Sequence, residues 1–205
     1  MVISYSDIIN RRIQICSRLP FPYVQGRSWE ILRERRVLSV GCGSVESEQF
    51  LEIKQVAAGV VGVDTDPRSG AHFTSLSEIP AGEFNAAVAE HVLEHLTHEQ
   101  VLDTFRELAR ILPKDSPVII TLPNIMNFGG WFNNFDHKNF SPPTDTAAML
   151  ELHGFHVIDL FGWSKPDRFR RHQEMDDGER RLCAIIEQNW GLTLPQYVTI
   201  GAVRV

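Results

Sequence analysis

The chain has 205 residues, 43% of them hydrophobic and 22% charged, which suits one sizeable domain of ordinary soluble composition. Its formal net charge of −6 supplies no general attraction to nucleic acid or to an anionic membrane. Three scattered cysteines, Cys16, Cys42 and Cys183, make neither a disulfide framework nor a zinc ribbon and fit a reducing compartment. No basic patch followed by an apolar stretch marks Met1 to Asn10, and no apolar run approaches the ~18 residues of a membrane span. A cytoplasmic protein with no membrane partner is therefore expected.

In chain order, Ile8, Ile9, Ile13 and Ile15 with Arg11 and Arg12 between them predict a helix, capped at Ser6 or Asp7 and stopped by Pro20 and Pro22. A short second helix is expected from Ser28 toward Arg35. The basic clusters Arg33-Arg35-Arg36 and Arg168-Arg170-Arg171 lie close to acidic residues and read as solvated helix faces. Val37 to Val40 is a β-rich run ending in Gly41-Cys42-Gly43, followed by a helix around Gln49 to Gln55. Val60 to Val63 is a second buried strand, ending in Asp64, and Phe84 to Ala89 is a third. Thr97 with Gln100 forms a capping box for a helix that places Val101, Leu102, Phe105, Leu108 and Ile111 on one face and ends at Pro113.

Pro117 to Leu122 is the clearest strand. A loop rich in asparagine and aromatics follows, then a helix capped by Thr144 and terminated by Gly154, then a strand from Phe155 to Phe161. A polar, helical excursion from Asp167 to Asn189 precedes a last strand, Tyr197 to Val205. Strands alternating with helices imply an α/β fold with a mostly parallel sheet, and the final pair implies an antiparallel finish. One domain spans 1–205, divided into an N-terminal helical segment (1–36), a core (37–165), an insertion (166–196) and the last strand (197–205).

In an open parallel sheet a ligand lies at the carboxyl ends of the strands, near the switch in strand order. Gly41 and Gly43 permit a tight turn there and let a ligand rest on bare backbone. About twenty residues on, the carboxylate of Asp64 can accept hydrogen bonds from both hydroxyls of a ribose. An adenosine-containing ligand follows. Glu46 stands where the dinucleotide fingerprint needs a third glycine, and its charge would repel a pyrophosphate. No P-loop is present. A ligand with a ribose but no phosphate fits best.

The run from Val37 to Gly43, followed by Val61-Gly62-Val63-Asp64-Thr65-Asp66-Pro67, resembles the first two motifs of the class I S-adenosylmethionine-dependent methyltransferases. Phe84 to Leu96 is similar to that family's fourth strand and the turn after it. Asp136 to Pro142, with the helix and Gly154-Phe155 beyond, is similar to its segment between the fifth and sixth strands. The likeness runs from about Val37 to Leu160. It implies a doubly wound, mostly parallel seven-stranded sheet of Rossmann-like type with an antiparallel last strand, and S-adenosylmethionine as cofactor. It also implies cofactor contacts at Gly41, Cys42, Gly43, Asp64 and Thr65, at Ser75 and Leu76 near the adenine, and at Glu90 and His91. Ser39 and Val45 depart from the family, which usually carries an acidic residue and often a glycine at those places.

His91-Val92-Leu93-Glu94-His95 also reads as the H-x-x-E-H pattern of zinc peptidases. That reading needs a third ligand and a helix of several turns, whereas the motif directly follows a strand and precedes a new cap at Thr97. No metal is therefore expected. His137 lies in the aromatic loop (Phe128, Trp131, Phe132, Phe135, Phe140), where the family often builds its acceptor pocket, and an imidazole there suits a general base. His137 is accordingly the candidate catalytic and substrate-binding residue, with Asn124 as a second substrate contact. The N-terminal helices, with Tyr23 and Trp29, are a candidate lid by position. The expected function is methyl transfer to a small-molecule acceptor, with no nucleic acid as partner. A non-catalytic adenosyl-binding or scaffold protein of the same fold is the main alternative, and a nicotinamide oxidoreductase the other.

Overall fold

The computed structural model describes residues 3–19, 23–25, 29–125, 136–139, 141–164, 176–178, 181 and 197–205. Its elements are α1 (Tyr5–Arg18), β1 (Tyr23–Gln25), β2 (Arg36–Val40), α2 (Glu48–Val56), β3 (Gly59–Val63), β4 (Ala86–Glu90), α3 (His98–Ile111), β5 (Pro117–Pro123), α4 (Pro143–Leu152), β6 (Phe155–Ser164) and β7 (Tyr197–Arg204). The seven strands form one sheet in the order β1-β6-β7-β5-β4-β2-β3. All neighbours are parallel except β7, which runs antiparallel to both β5 and β6. This is the expected doubly wound sheet with a reversed last strand.

Alternation along the strands sorts side chains onto two faces. Leu38, Val40, Ala87, Ala89, Val118, Ile120 and Leu122 join one cluster with Val101, Phe105, Leu108 and Ile111 of α3. Val37, Ala86, Val88 and Ile119 join the other, with Trp29, Leu32 and, from α2, Ile53. Both faces are therefore covered, as a mostly parallel sheet requires. The capping box on α3 forms as expected: the Gln100 amide donates to Thr97 Oγ1 at 3.3 Å, and the Thr97 amide to Gln100 Oε1 at 2.8 Å.

Several local expectations need correction. Ser4, two or three residues earlier than expected, caps α1 in a box with Asp7. The short second helix is only a 3-10 turn, Glu30–Leu32. Pro142, not Thr144, precedes α4, and Thr144 lies inside that helix. The seventh strand is Tyr23–Gln25, placed within the helical N-terminal segment by the sequence reading; it pairs with β6 at the sheet edge.

Helix α1, part of the candidate lid, braces α4. Arg18 and Arg11 reach Glu151 of α4 at 2.7 and 3.3 Å, Arg12 reaches Asp145 at 2.9 Å, and Ile15 is buried in the main core. Trp29 packs in the second cluster and donates from Nε1 to Glu52 at 3.0 Å. The basic cluster at Arg168, the aromatics Phe128, Trp131, Phe132, Phe135 and Phe140, and most of the 166–196 insertion lie outside the described residues. Among those described, no helix is long and apolar enough to cross a membrane.

Candidate active site

The strand order reverses at β2, whose neighbours are β3 on one side and β4 on the other. At that switch point the carboxyl ends of β2, β3 and β4 open onto a cavity of about 770 Å³. Val40, Gly41 and Gly43 line it from β2, Val63, Asp64 and Thr65 from β3, and His91 and Val92 from the turn after β4.

The turn after β2 depends on its glycines. Gly41 and Gly43 have φ of +57° and +61°, in the left-handed region that side chains disfavour. A Cβ on Gly41 would sit 2.5 and 2.7 Å from the γ-carbons of Val92, so this glycine also lets the β2 and β4 turns touch. A Cβ on Gly43 would meet nothing within 4 Å. The wall there is bare backbone facing open space.

Asp64 completes the corner. Its Oδ2 accepts from the Gly43 amide at 2.8 Å and its Oδ1 from the Asp66 amide at 2.9 Å. These bonds orient the carboxylate, and each oxygen keeps a lone pair for a further donor. Cys42, between the glycines, does not line the cavity. A Cβ on Gly62 would fall 2.6 Å from the Cys42 sulfur, which places that side chain against β3 beneath the turn. Burial, and then the nearby Asp64 charge, raise its thiol pKa. Any cofactor contact at Cys42 is left to its backbone.

Thr65, Ser75, Leu76 and His91 line the cavity. Ser75 Oγ shares a 2.8 Å hydrogen bond with Ser77 Oγ, and the Leu76 carbonyl accepts from Arg110 at 3.0 Å. His91 has φ of +55°, an uncommon conformation for a non-glycine residue and one that clusters at functional sites. Its Nδ1 lies 3.3 Å from Oε1 of Glu94, and its ring packs edge-on against Tyr197.

Three further expected contacts do not line the cavity. Glu90 ends β4 and is buried, and Asn124 is buried immediately after β5. His137 lies beside His95, their ring centroids 5.0 Å apart, and it is His95 that borders the cavity. Burial lowers the His137 pKa; the Glu94 carboxylate opposes that shift and the His95 imidazole adds to it.

The sequence reading missed an entire wall. Gln100, Asp103, Thr104, Arg106 and Glu107, on the polar side of α3, face the cavity. Their helical spacing was visible, but a polar stripe opposite an apolar one reads as solvent-facing. His95, the last residue of the 3-10 turn Leu93–His95, and Leu96 just after it border the cavity as well.

Comparison with known proteins agrees with this geometry. A family model described as a methyltransferase domain matches residues 13–160. A methyltransferase structure from Archaeoglobus fulgidus, described as S-adenosylmethionine-dependent, superimposes with a TM-score of 0.65 at 19% identity, covering 96% of this chain and 94% of that one. A second, from Mesorhizobium loti, gives 0.59 at 15% identity, covering 84% and 92%. The 1,6-didemethyltoxoflavin-N1-methyltransferase of Burkholderia thailandensis gives 0.56 at 12% identity, covering 98% and 79%. No curated protein matches the chain. With the family model spanning well over half of its length, the chain belongs to the methyltransferase-domain family, among the class I S-adenosylmethionine-dependent methyltransferases.

Proposed function

We propose that this chain binds S-adenosylmethionine in the cavity at the β2–β3–β4 switch point and transfers its methyl group to a small-molecule acceptor. The observation that carries the reading is the corner built by Gly43 and Asp64, a bare amide and an oriented carboxylate 2.8 Å apart on one cavity wall. Asp64 would take the ribose hydroxyls, Gly41 to Gly43 would back the methionine portion, and Ser75 and Leu76 would flank the adenine. The residues fit a cationic ligand better than a phosphorylated one. Glu48 occupies the first turn of α2, where a pyrophosphate would need a helix end free of negative charge. Asp64 adds a carboxylate to the cavity wall, while those of Asp103 and Glu107 are paired with Arg106 and Arg110.

When bound, the cofactor supplies an electrophilic methyl on a sulfonium whose departure leaves a neutral thioether. The chain's task is to align the acceptor in a dry site, worth about 7–11 kcal/mol when the geometry is right. Where the acceptor must lose a proton, His91 is the placed imidazole: it borders the cavity and is oriented by Glu94. His137 has the chemistry of a base but stands behind His95. A cavity of about 770 Å³ suits the cofactor with a compact acceptor. A protein with the same fold, the Burkholderia enzyme above, was crystallised with bound S-adenosylhomocysteine and 1,6-didemethyltoxoflavin.

The test is calorimetry with S-adenosylmethionine, followed by transfer of labelled methyl to a panel of small hydroxyl and amine acceptors. Saturable binding with labelled product supports the reading. Binding without transfer to any acceptor favours the non-catalytic alternative, and no binding overturns both.

A further inference from the structure

We propose that Glu94, His95 and His137 form a binding site for one divalent transition-metal ion, such as Zn²⁺, at the edge of the cavity. Each residue offers a ligand atom, and the three atoms lie within 4.8 Å of one another. Two imidazoles and a carboxylate are the donors such ions take, and three protein ligands leave a coordination position open.

A buried, unpartnered carboxylate oxygen points the cluster at a ligand. Glu94 has a side chain only 2% exposed, and its Oε2 has no hydrogen-bond partner among the described residues. A carboxylate oxygen buried in that way lacks compensation for the water it gave up, which a bound cation supplies. The other oxygen, Oε1, faces His91 Nδ1 at 3.3 Å. That contact fixes the carboxylate's orientation as an outer-shell partner does.

The segment that carries His137 is held beside that carboxylate. Backbone amides of Lys138 and Asn139 both donate to the Glu94 carbonyl, at 2.7 and 3.1 Å, and the Asn139 side chain donates to the Leu93 carbonyl at 3.4 Å. Two segments more than forty residues apart are thus clamped through the very turn that carries the other two donors. The third ligand absent from the local H-x-x-E-H pattern arrives from this clamp. No long helix is needed, because Glu94 and His95 are adjacent on a 3-10 turn. Around an ion with bonds of about 2.0–2.2 Å the donor atoms would lie roughly 3–3.5 Å apart, so side-chain shifts of about an ångström close the site.

The site is tested on the full chain, stripped with EDTA and titrated with Zn²⁺ against a chromophoric chelator. One equivalent per chain is expected. Affinity should fall at least about tenfold in His137→Ala and in Glu94→Gln, since loss of even an outer-shell partner costs roughly 10–100-fold. His98→Ala, exposed at the start of α3, should bind as the parent does. Absence of stoichiometric binding, or undiminished binding by both ligand variants, overturns the proposal. Because those variants can misfold, X-ray absorption of the zinc-loaded parent gives a second reading. Two imidazoles in the first shell support the site, and none overturns it. Binding of S-adenosylmethionine to the stripped parent is measured separately, so failure of the cofactor reading and failure of the metal site remain distinguishable.

Discussion

The Gly43 amide donates to the Asp64 carboxylate at 2.8 Å, joining the turn after β2 to the end of β3 across a distance of 21 residues in sequence. The same carboxylate accepts from the Asp66 amide. Local structure and ligand recognition therefore share one side chain. Asp64→Ala should lower S-adenosylmethionine affinity by about 100-fold, the loss of charge-assisted hydrogen bonds of roughly 1.5–3 kcal/mol. Calorimetry on parent and variant, with thermal melts to register the smaller structural loss, measures both effects.

Gly41 and Gly43 should respond differently to the same substitution. Gly41→Ala forces a Cβ into Val92 and keeps the strained φ, so it should lose at least about 2 kcal/mol of stability. Gly43→Ala meets no protein atom and should lose only about 1–2 kcal/mol from the backbone. Its methyl group enters the space proposed for the cofactor, so its affinity should fall about tenfold or more. Denaturant melts and calorimetry on the two variants separate folding from binding.

Much of this corner was legible in the sequence. Gly-x-Gly after an apolar strand and an acid after the next strand are local signals, and the structure brings Gly41, Gly43 and Asp64 to one cavity. The capping box at Thr97 and the strand from Pro117 are local too, and both form. What the sequence hid depends on distant pairing. Tyr23–Gln25 is too short to show a period and exists as a strand only because the edge of β6 receives it. The wall formed by α3 borders a cavity as well as solvent, because the strand ends and Leu76 also line that cavity. His137 meets His95 only after β5 and the following loop have returned the chain to the β4 turn.

Cys42 supplies a chemical check on the turn. Burial, followed by the Asp64 charge, holds its thiol above the ordinary pKa, so the reactive thiolate is scarce near neutral pH and grows only as the medium becomes strongly alkaline. Exposed Cys16 should therefore react with iodoacetamide well before Cys42 at pH 8. Asp64→Asn removes one of the opposing influences and should speed Cys42 labelling. Peptide mapping by mass spectrometry follows each cysteine separately.

The N-terminal helix should matter for stability and not for the cofactor. Glu151 gathers Arg11, Arg18 and the Val157 amide, at 3.3, 2.7 and 2.9 Å, while its own side chain is buried. Glu151→Ala leaves that amide without its partner and releases α1, at a cost of about 2 kcal/mol. Thermal melts should shift downward while S-adenosylmethionine affinity of the folded protein stays unchanged; a large affinity loss would restore the helix to the role of a lid.

The measurement that bears most directly on the whole account is a crystal structure of the chain with S-adenosylhomocysteine. The account predicts ligand density along Gly41 to Gly43, with both ribose hydroxyls on the Asp64 carboxylate. Density seated elsewhere on the protein, or a ribose that leaves Asp64 untouched at full occupancy, would contradict it.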